Sequence, residues 1–161
     1  MGIENVNRFK AGVSAVAALF TALWGWFGWL VVAWVFCMAL DYLTGTMAAL
    51  KAGEWSSEKA RNGLWHKVGA IVAVLVAGIL DLVVGQFLGN VVPPGALPFV
   101  YTVFLCPLVV VWYIFTEAGS IVENAGKMGS RIPEWLRKAI KALKTGVDNV
   151  GDKISGEDKT T

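Results

Sequence analysis

Three long apolar segments dominate the pattern of hydrophobic and polar positions along the chain. The hydrocarbon core of a bilayer, roughly 30 Å thick, requires about twenty apolar residues per helix, and residues 28–50, 68–90 and 99–119 each meet that length. Three prolines between residues 92 and 98 cannot lie in a helix interior, so they predict a tight turn. Pro107 lies inside the third segment and predicts a kink there. The pattern predicts an all-α integral membrane protein, organised as an N-terminal hydrophobic helix (1–26), a first transmembrane helix (27–51), a basic loop (52–67), a second transmembrane helix (68–92), a turn (93–98), a third transmembrane helix (99–124) and an amphipathic, charged tail (125–161).

The N-terminal segment fits two interpretations. Its uncharged core, residues 11–23, is thirteen residues long, which is short for a membrane span. We favour an interfacial helix hinged at the aromatic and glycine cluster of residues 24–29. The alternative is a marginal fourth span that can enter or leave the membrane.

The tail carries a helical pattern with bases outside its apolar positions. Pro133 is well placed to begin this helix, whereas Gly146 and Gly151 weaken it, so we expect a helix over 133–145 and fraying beyond. A basic amphipathic helix on anionic lipid is the favoured interpretation, and a short coiled coil between copies is the alternative. The apolar positions, spaced alternately by four and three, are Leu136, Ile140, Leu143, Val147, Val150 and Ile154.

Composition supports a membrane protein and argues against several other classes. Apolar residues make up 56% of the 161 residues and charged residues only 16%, which excludes a disordered chain, a basic nucleic-acid reader and most water-soluble domains. Two cysteines and one histidine give neither a disulfide framework nor a zinc spacing. No phosphate-binding loop or catalytic triad pattern is present. We therefore predict no enzyme, no cofactor, no metal and no nucleic-acid partner.

The distribution of bases predicts the topology. Positive charge is concentrated in residues 51–67 and in the tail after residue 126, whereas residues 91–98 carry no charge. Bases in short loops of membrane proteins stay on the cytoplasmic side. The C-terminus is therefore predicted to lie in the cytoplasm, and the protein in the bacterial cytoplasmic membrane.

Two aspartates lie deep within the predicted spans. Asp41 and Asp81 are about 15–21 Å from the cytoplasmic ends of their helices. Each is either a neutral residue hydrogen-bonded to a neighbouring helix or a carboxylate lining a water-filled path. Counted along the helix axis, the nearest bases, Lys51 and Lys67, are about 15 Å from Asp41. Water is therefore the expected companion of the Asp41 carboxylate.

Each aspartate lies near the centre of a stripe of small residues. Steps of four give Ala33, Cys37, Asp41, Gly45, Ala49 and Gly53 in the first span, and Gly69, Ala73, Ala77, Asp81, Gly85 and Gly89 in the second. Small residues let membrane helices approach closely, so both stripes predict packing within the protomer or between copies. The predicted pore and assembly residues are Asp41, Gly45, Asp81, Gly85, Gly89, Glu117, Glu123 and Asn124.

Three sequence blocks resemble a known family. The first block is Asp41-Tyr42-Leu43-Thr44-Gly45, the second is Ser56-Ser57 with Gly63-Leu64 and Lys67, and the third is Ser120-Ile121-Val122-Glu123-Asn124 with Met128-Gly129 and Pro133. In this order and spacing, which cover about residues 28–145, they resemble the toxin-secretion and phage-lysis holins of the clostridial type.

The resemblance implies a small protein that accumulates in the cytoplasmic membrane and assembles into large lesions. Such lesions release a wall-degrading endolysin, or in some bacteria a folded toxin. The implied partners are lipid and further copies of the chain, with the endolysin a functional partner that is not bound directly. A regulated small-solute channel or transporter subunit, with Asp41 and Asp81 along its ion path, is the alternative from a different functional class.

Overall fold

The computed structural model describes residues 3–93 and 103–156, and within them the chain is helical, with no strand. Three segments, Gly25–Ala52, Ser57–Val91 and Leu105–Lys127, are long and apolar enough to cross a membrane. The prediction of an all-α protein with three membrane-spanning helices is therefore confirmed. The helices are α1 (Ile3–Ala52), α2 (Ser57–Val91), α3 (Leu105–Lys127) and α4 (Glu134–Ser155).

A break at Gly25 divides α1 into two parts, which brings the number of helices among the described residues to five. Gly25 has φ 60° and ψ −159°, a conformation that is open to glycine because it lacks a Cβ. The part after the break is the first membrane-length segment. Whether the part before it lies in the membrane interface stays a prediction.

The second helix begins eleven residues earlier than the second predicted span. Ser56 caps α2 by accepting a hydrogen bond from the Lys59 backbone N–H at 3.1 Å, so residues 57–67 form the first three turns of a helix. The prediction of a basic loop over 52–67 is wrong for this portion. Charge alone suggests a loop here, but Lys59 and Arg61 are exposed on the helix surface, where charge is tolerated.

Two further sequence expectations are corrected at α3 and α4. Pro107 is the third residue of α3, where its missing N–H would have no intrahelical partner, so it lies at the helix start and not at an internal kink. After Pro133, α4 continues to Ser155 and ends at Gly156, well beyond residue 145. Packing against α3 supports the helix past Gly146, since Trp112 of α3 still bonds to Asp148. The predicted 93–98 turn falls almost entirely outside the described residues.

The third helix is the centre of the bundle and contacts all three others, whereas α1 and α2 contact each other little. α1 runs parallel to α3 and α2 runs antiparallel to it. Alanines on α2 allow close approach, and the buried core consists of Trp34, Met38, Ala70, Val74, Ala77, Cys106 and Val110. The outer surface of α2 from Val68 to Val91 remains apolar and exposed, as expected for contact with lipid.

Candidate functional site

A cluster of charged and polar side chains joins α1, α2 and α3, and we call it the ionic cluster (Asp41, Thr44, Lys67, Glu117 and Asn124). The Lys67 ammonium donates to the Asp41 carboxylate at 2.9 Å and to the Glu117 carboxylate at 2.7 Å. These three side chains are only 10–18% exposed. One cation therefore binds two carboxylates, and each of the three comes from a different helix.

The geometry of the α1–α2 hairpin brings Lys67 to Asp41. Asp41 lies thirteen residues before Glu54, and Lys67 lies thirteen residues after it. Because the hairpin turns tightly at residues 53–56, equal distances from the turn correspond to equal levels in the bundle. The predicted separation of about 15 Å between Asp41 and Lys67 is wrong, because the hairpin brings the Lys67 ammonium within 2.9 Å of the Asp41 carboxylate. A count of residues in both directions from the turn predicts this ion pair.

Asn124 completes the ionic cluster from α3. Its side-chain amide donates to the Asp41 carboxylate at 3.2 Å and to the Thr44 hydroxyl at 3.3 Å. A Cβ atom at Gly45 would lie 3.4 Å from the Asn124 amide nitrogen, so a glycine leaves room for the amide. The three sequence blocks that resemble holins, from α1, α2 and α3, thus meet in this cluster.

Hydrogen bonds within the ionic cluster compensate its partly buried charges. Two carboxylates face one ammonium, and the Asn124 amide provides the further donors that a partly buried carboxylate requires. Removing one member of such a group leaves its partners buried without compensation. The geometry therefore holds three helices in register.

Asp81 lies elsewhere and binds a different kind of group. Its carboxylate accepts hydrogen bonds from the backbone N–H groups of Phe104, Leu105 and Cys106, at 3.2, 2.9 and 2.7 Å. These N–H groups at the start of α3 have no intrahelical acceptor, and Phe104 offers no side-chain cap. Asp81, only 3% exposed, thus caps the third helix from the second, about 21 Å from Lys67 along α2.

The structure divides the eight predicted site residues. It brings Asp41, Gly45, Glu117 and Asn124 together and places the other four elsewhere. Gly89 is exposed with open space around it, Gly85 is half-buried, and Glu123 is exposed beside α4. Lys67 and Thr44 are the two cluster members that were not among the predicted site residues. An assembly role for these residues stays a prediction.

A helical bundle with three membrane-length helices and an apolar outer surface defines a small multi-pass membrane protein. The chain belongs to the bacteriophage holin family, whose model matches residues 18–145. This match covers the three membrane-length segments from Gly25 onward, including the ionic cluster.

Several relatives of similar length resemble the chain. An uncharacterized protein of Clostridium perfringens is 35% identical over 134 residues, which is 83% of this chain and 89% of the relative. A second C. perfringens protein, described as an uncharacterized 14.9 kDa protein in the nagH 3' region, is 32% identical over 88% of this chain and 97% of its own. An uncharacterized protein of Halalkalibacterium halodurans is 34% identical over 88% and 96%. No solved structure matches the chain.

Proposed function

We propose that this chain is a holin that oligomerises in the bacterial cytoplasmic membrane and forms lesions through which an endolysin, or a folded toxin, leaves the cell. The observation that carries the proposal is the match to the bacteriophage holin family over residues 18–145. Members of this family are not enzymes. The proposed partners are membrane lipid and other copies of the chain, and the endolysin passes through the lesion without being bound.

Two structural features support assembly from a stable protomer. The ionic cluster fixes three helices relative to one another, so the protomer packs as a unit. Gly89 is exposed at the end of the apolar outer surface of α2 and Gly85 is half-buried one turn before it, and we propose that this surface meets other copies. In this proposal, Asp41, Glu117 and Asn124 keep that surface in position, and the basic segments keep the C-terminus in the cytoplasm.

The alternative, a channel or transporter subunit, receives less support from the geometry. An ion path would use Asp41 and Asp81 together, but the two carboxylates lie about 21 Å apart along the bundle axis. Each is engaged by its own donors, Lys67 in one case and the α3 backbone in the other.

Co-expression with an endolysin tests the proposed function. The chain is induced in a bacterium that also produces a cytosolic endolysin lacking an export signal, and culture turbidity is followed. We expect abrupt lysis when both proteins are present. The controls are the endolysin alone, and the endolysin with an unrelated three-span membrane protein at equal abundance. Living cells with an altered flux of one solute would instead identify a transporter subunit and contradict the proposal.

A further inference from the structure

A cavity of about 460 Å³ lies between α3 and α4. Three bases of α4, Arg137, Lys141 and Lys144, line one side of it. The α3 side contributes a single acid, Glu123. The cavity therefore carries an excess of two positive charges, which favours an anionic occupant.

The three bases are not neutralised within the described residues. None of them forms an ion pair there, even though Glu123 lines the same cavity. The Lys144 ammonium lies 4.4 Å from the centre of the Trp112 ring, and Arg137 lies against the backbone of α3 at Gly126. The positions of Lys144 and Arg137 are thus set by packing against α3, and the charge of all three bases remains available to a ligand.

The cavity lies at the level where the three membrane-length helices change from uncharged to charged. Its α3 residues begin at Phe115 and include Ser120, so they flank Glu117 of the ionic cluster. On one side of this level, residues 11–40 of α1 and 105–116 of α3 carry no charge and α2 beyond Lys67 carries only Asp81, whereas α4 still carries Asp148 beside Trp112. A lipid headgroup region is expected where such a change occurs in all three helices together.

Trp112 supports the same placement. It lies about one turn before Phe115 of the cavity, and its indole N–H donates to the Asp148 carboxylate at 2.5 Å. A tryptophan with an apolar body and a bonded polar edge is typical of the membrane interface. Trp112 and the change in charge thus both favour a position of the cavity near the headgroups of one leaflet, which is the inner leaflet if the C-terminus is cytoplasmic.

The walls of the cavity are partly apolar. Phe115 and Val122 of α3 and Ile140 of α4 lie beside the three bases. Apolar walls contribute nothing to the binding of a free inorganic anion. A phospholipid, in contrast, presents a phosphate joined to an apolar glycerol and acyl portion. Basic pockets between membrane helices are a known form of lipid headgroup site.

We propose that the cavity between α3 and α4 binds the phosphodiester headgroup of an anionic phospholipid. Arg137 and Lys141 contact the phosphate from α4, and Lys144 adds charge from its place over Trp112. The lipid tail follows the apolar side of α3. The test of this site does not depend on the proposed lesion-forming activity, because lipid binding is measured on the isolated protein.

Lipid titration of the purified full-length chain tests the proposal. The protein is held in dodecyl maltoside and titrated with phosphatidylglycerol, and bound lipid is counted by native mass spectrometry. We expect the double variant Arg137→Gln with Lys141→Gln to raise the apparent Kd at least about tenfold. The matched control is Lys138→Gln with Lys153→Gln, which removes the same charge from exposed residues of α4 that do not line the cavity. We expect the control to raise the Kd less than about threefold.

Further measurements distinguish the possible outcomes of the lipid titration. Circular dichroism establishes that each variant keeps its helix content, and Lys141→Gln alone serves if the double variant fails to fold. An equal loss of affinity in the cavity pair and the control pair would mean diffuse surface attraction and would overturn the proposal, as would unchanged binding by the cavity pair. Competition by inorganic phosphate at equal concentration would assign the site to a free anion instead of a lipid, and would overturn it as well.

Discussion

Asp41 and Asp81 stand in similar sequence surroundings but bind different groups. Each lies within an apolar helix at the centre of a stripe of small residues. Asp41 pairs with the Lys67 ammonium and the Asn124 amide, whereas Asp81 receives three backbone N–H groups at the start of α3. The negative charge of Asp41 is balanced by a charged side chain, and that of Asp81 by the positive end of the α3 helix dipole.

The difference shows that the neighbouring helix at the same level decides what a membrane acid does. At the level of Asp41, the neighbour offers a lysine, so the acid joins helices through charge. At the level of Asp81, the neighbour offers N–H groups that lack an intrahelical acceptor, and these are costly in an apolar environment. Both acids stabilise the bundle, but Asp41 is bonded to a charged side chain, whereas Asp81 is bonded to neutral backbone N–H groups.

Replacing the shared cation should give the largest effect. Lys67→Met leaves two carboxylates facing each other without a cation, and we expect a loss of about 3–5 kcal/mol in the free energy of unfolding in mixed micelles. The matched control is Lys59→Met, because Lys59 is on the same helix but exposed. A destabilisation no larger than that of the control would show that the ion pairs contribute nothing.

Removing the cap at the start of α3 should give the next largest effect. Asp81→Leu keeps the residue apolar but leaves three N–H groups without an acceptor, so we expect a loss of about 2–3 kcal/mol. Asp81→Asn keeps one acceptor oxygen and should lose less. Chemical denaturation followed by circular dichroism measures both, and equal losses for Leu and Asn would argue against the capping role.

Neutralising Asp41 should perturb function more than stability. Asp41→Asn keeps the shape and removes one of the two carboxylates from Lys67, so we expect a loss of only about 1 kcal/mol. Because the net charge of the ionic cluster changes, we also expect delayed lysis at normal membrane abundance, as for Asp41→Ala. Wild-type lysis timing in Asp41→Asn would leave the carboxylate a structural residue only.

The smallest effect on the protomer is expected at Gly89. It is exposed, and a Cβ atom added there would meet nothing within 4 Å, so Gly89→Leu should change the free energy of unfolding by less than about 0.5 kcal/mol. The same change should block assembly, because a large side chain separates packed helices. Gly85→Leu is expected to block assembly too. Unchanged crosslinked oligomers and unchanged lysis in both variants would exclude this surface from the assembly contact.

Much of the helical arrangement could be predicted from the sequence. The lengths of the apolar runs predict the spans, and the prolines at 93, 94 and 98 predict the break between the second and third spans. The early start of α2 is harder to predict because Lys59 and Arg61 resemble loop charges, although the Ser56 cap is visible in the sequence. The extent of α4 depends on packing against Trp112, which local helix propensity does not report.

The members of the candidate site were predicted better than their partners. Asp41, Glu117 and Asn124 were found because polar residues are rare in membrane spans. The contacts of Asp41 and Glu117 with Lys67 depend on the register of the helices, which the turn at residues 53–56 fixes between α1 and α2. The role of Asp81 depends on where α3 begins, and the apolar pattern places that start six residues too early.

A pair of double-mutant cycles tests the difference between the two acids most directly. Free energies of unfolding are measured for Lys67→Met, Asp41→Asn and Asp81→Asn alone, and for Lys67→Met combined with each aspartate change. We predict that Asp41→Asn relieves Lys67→Met, so that the double variant is more stable than the sum of the single losses by about 1 kcal/mol or more. Asp81→Asn should add to Lys67→Met within about 0.5 kcal/mol, because the two residues lie about 21 Å apart along α2. Additive losses in both cycles, or equal coupling in both, would contradict the account.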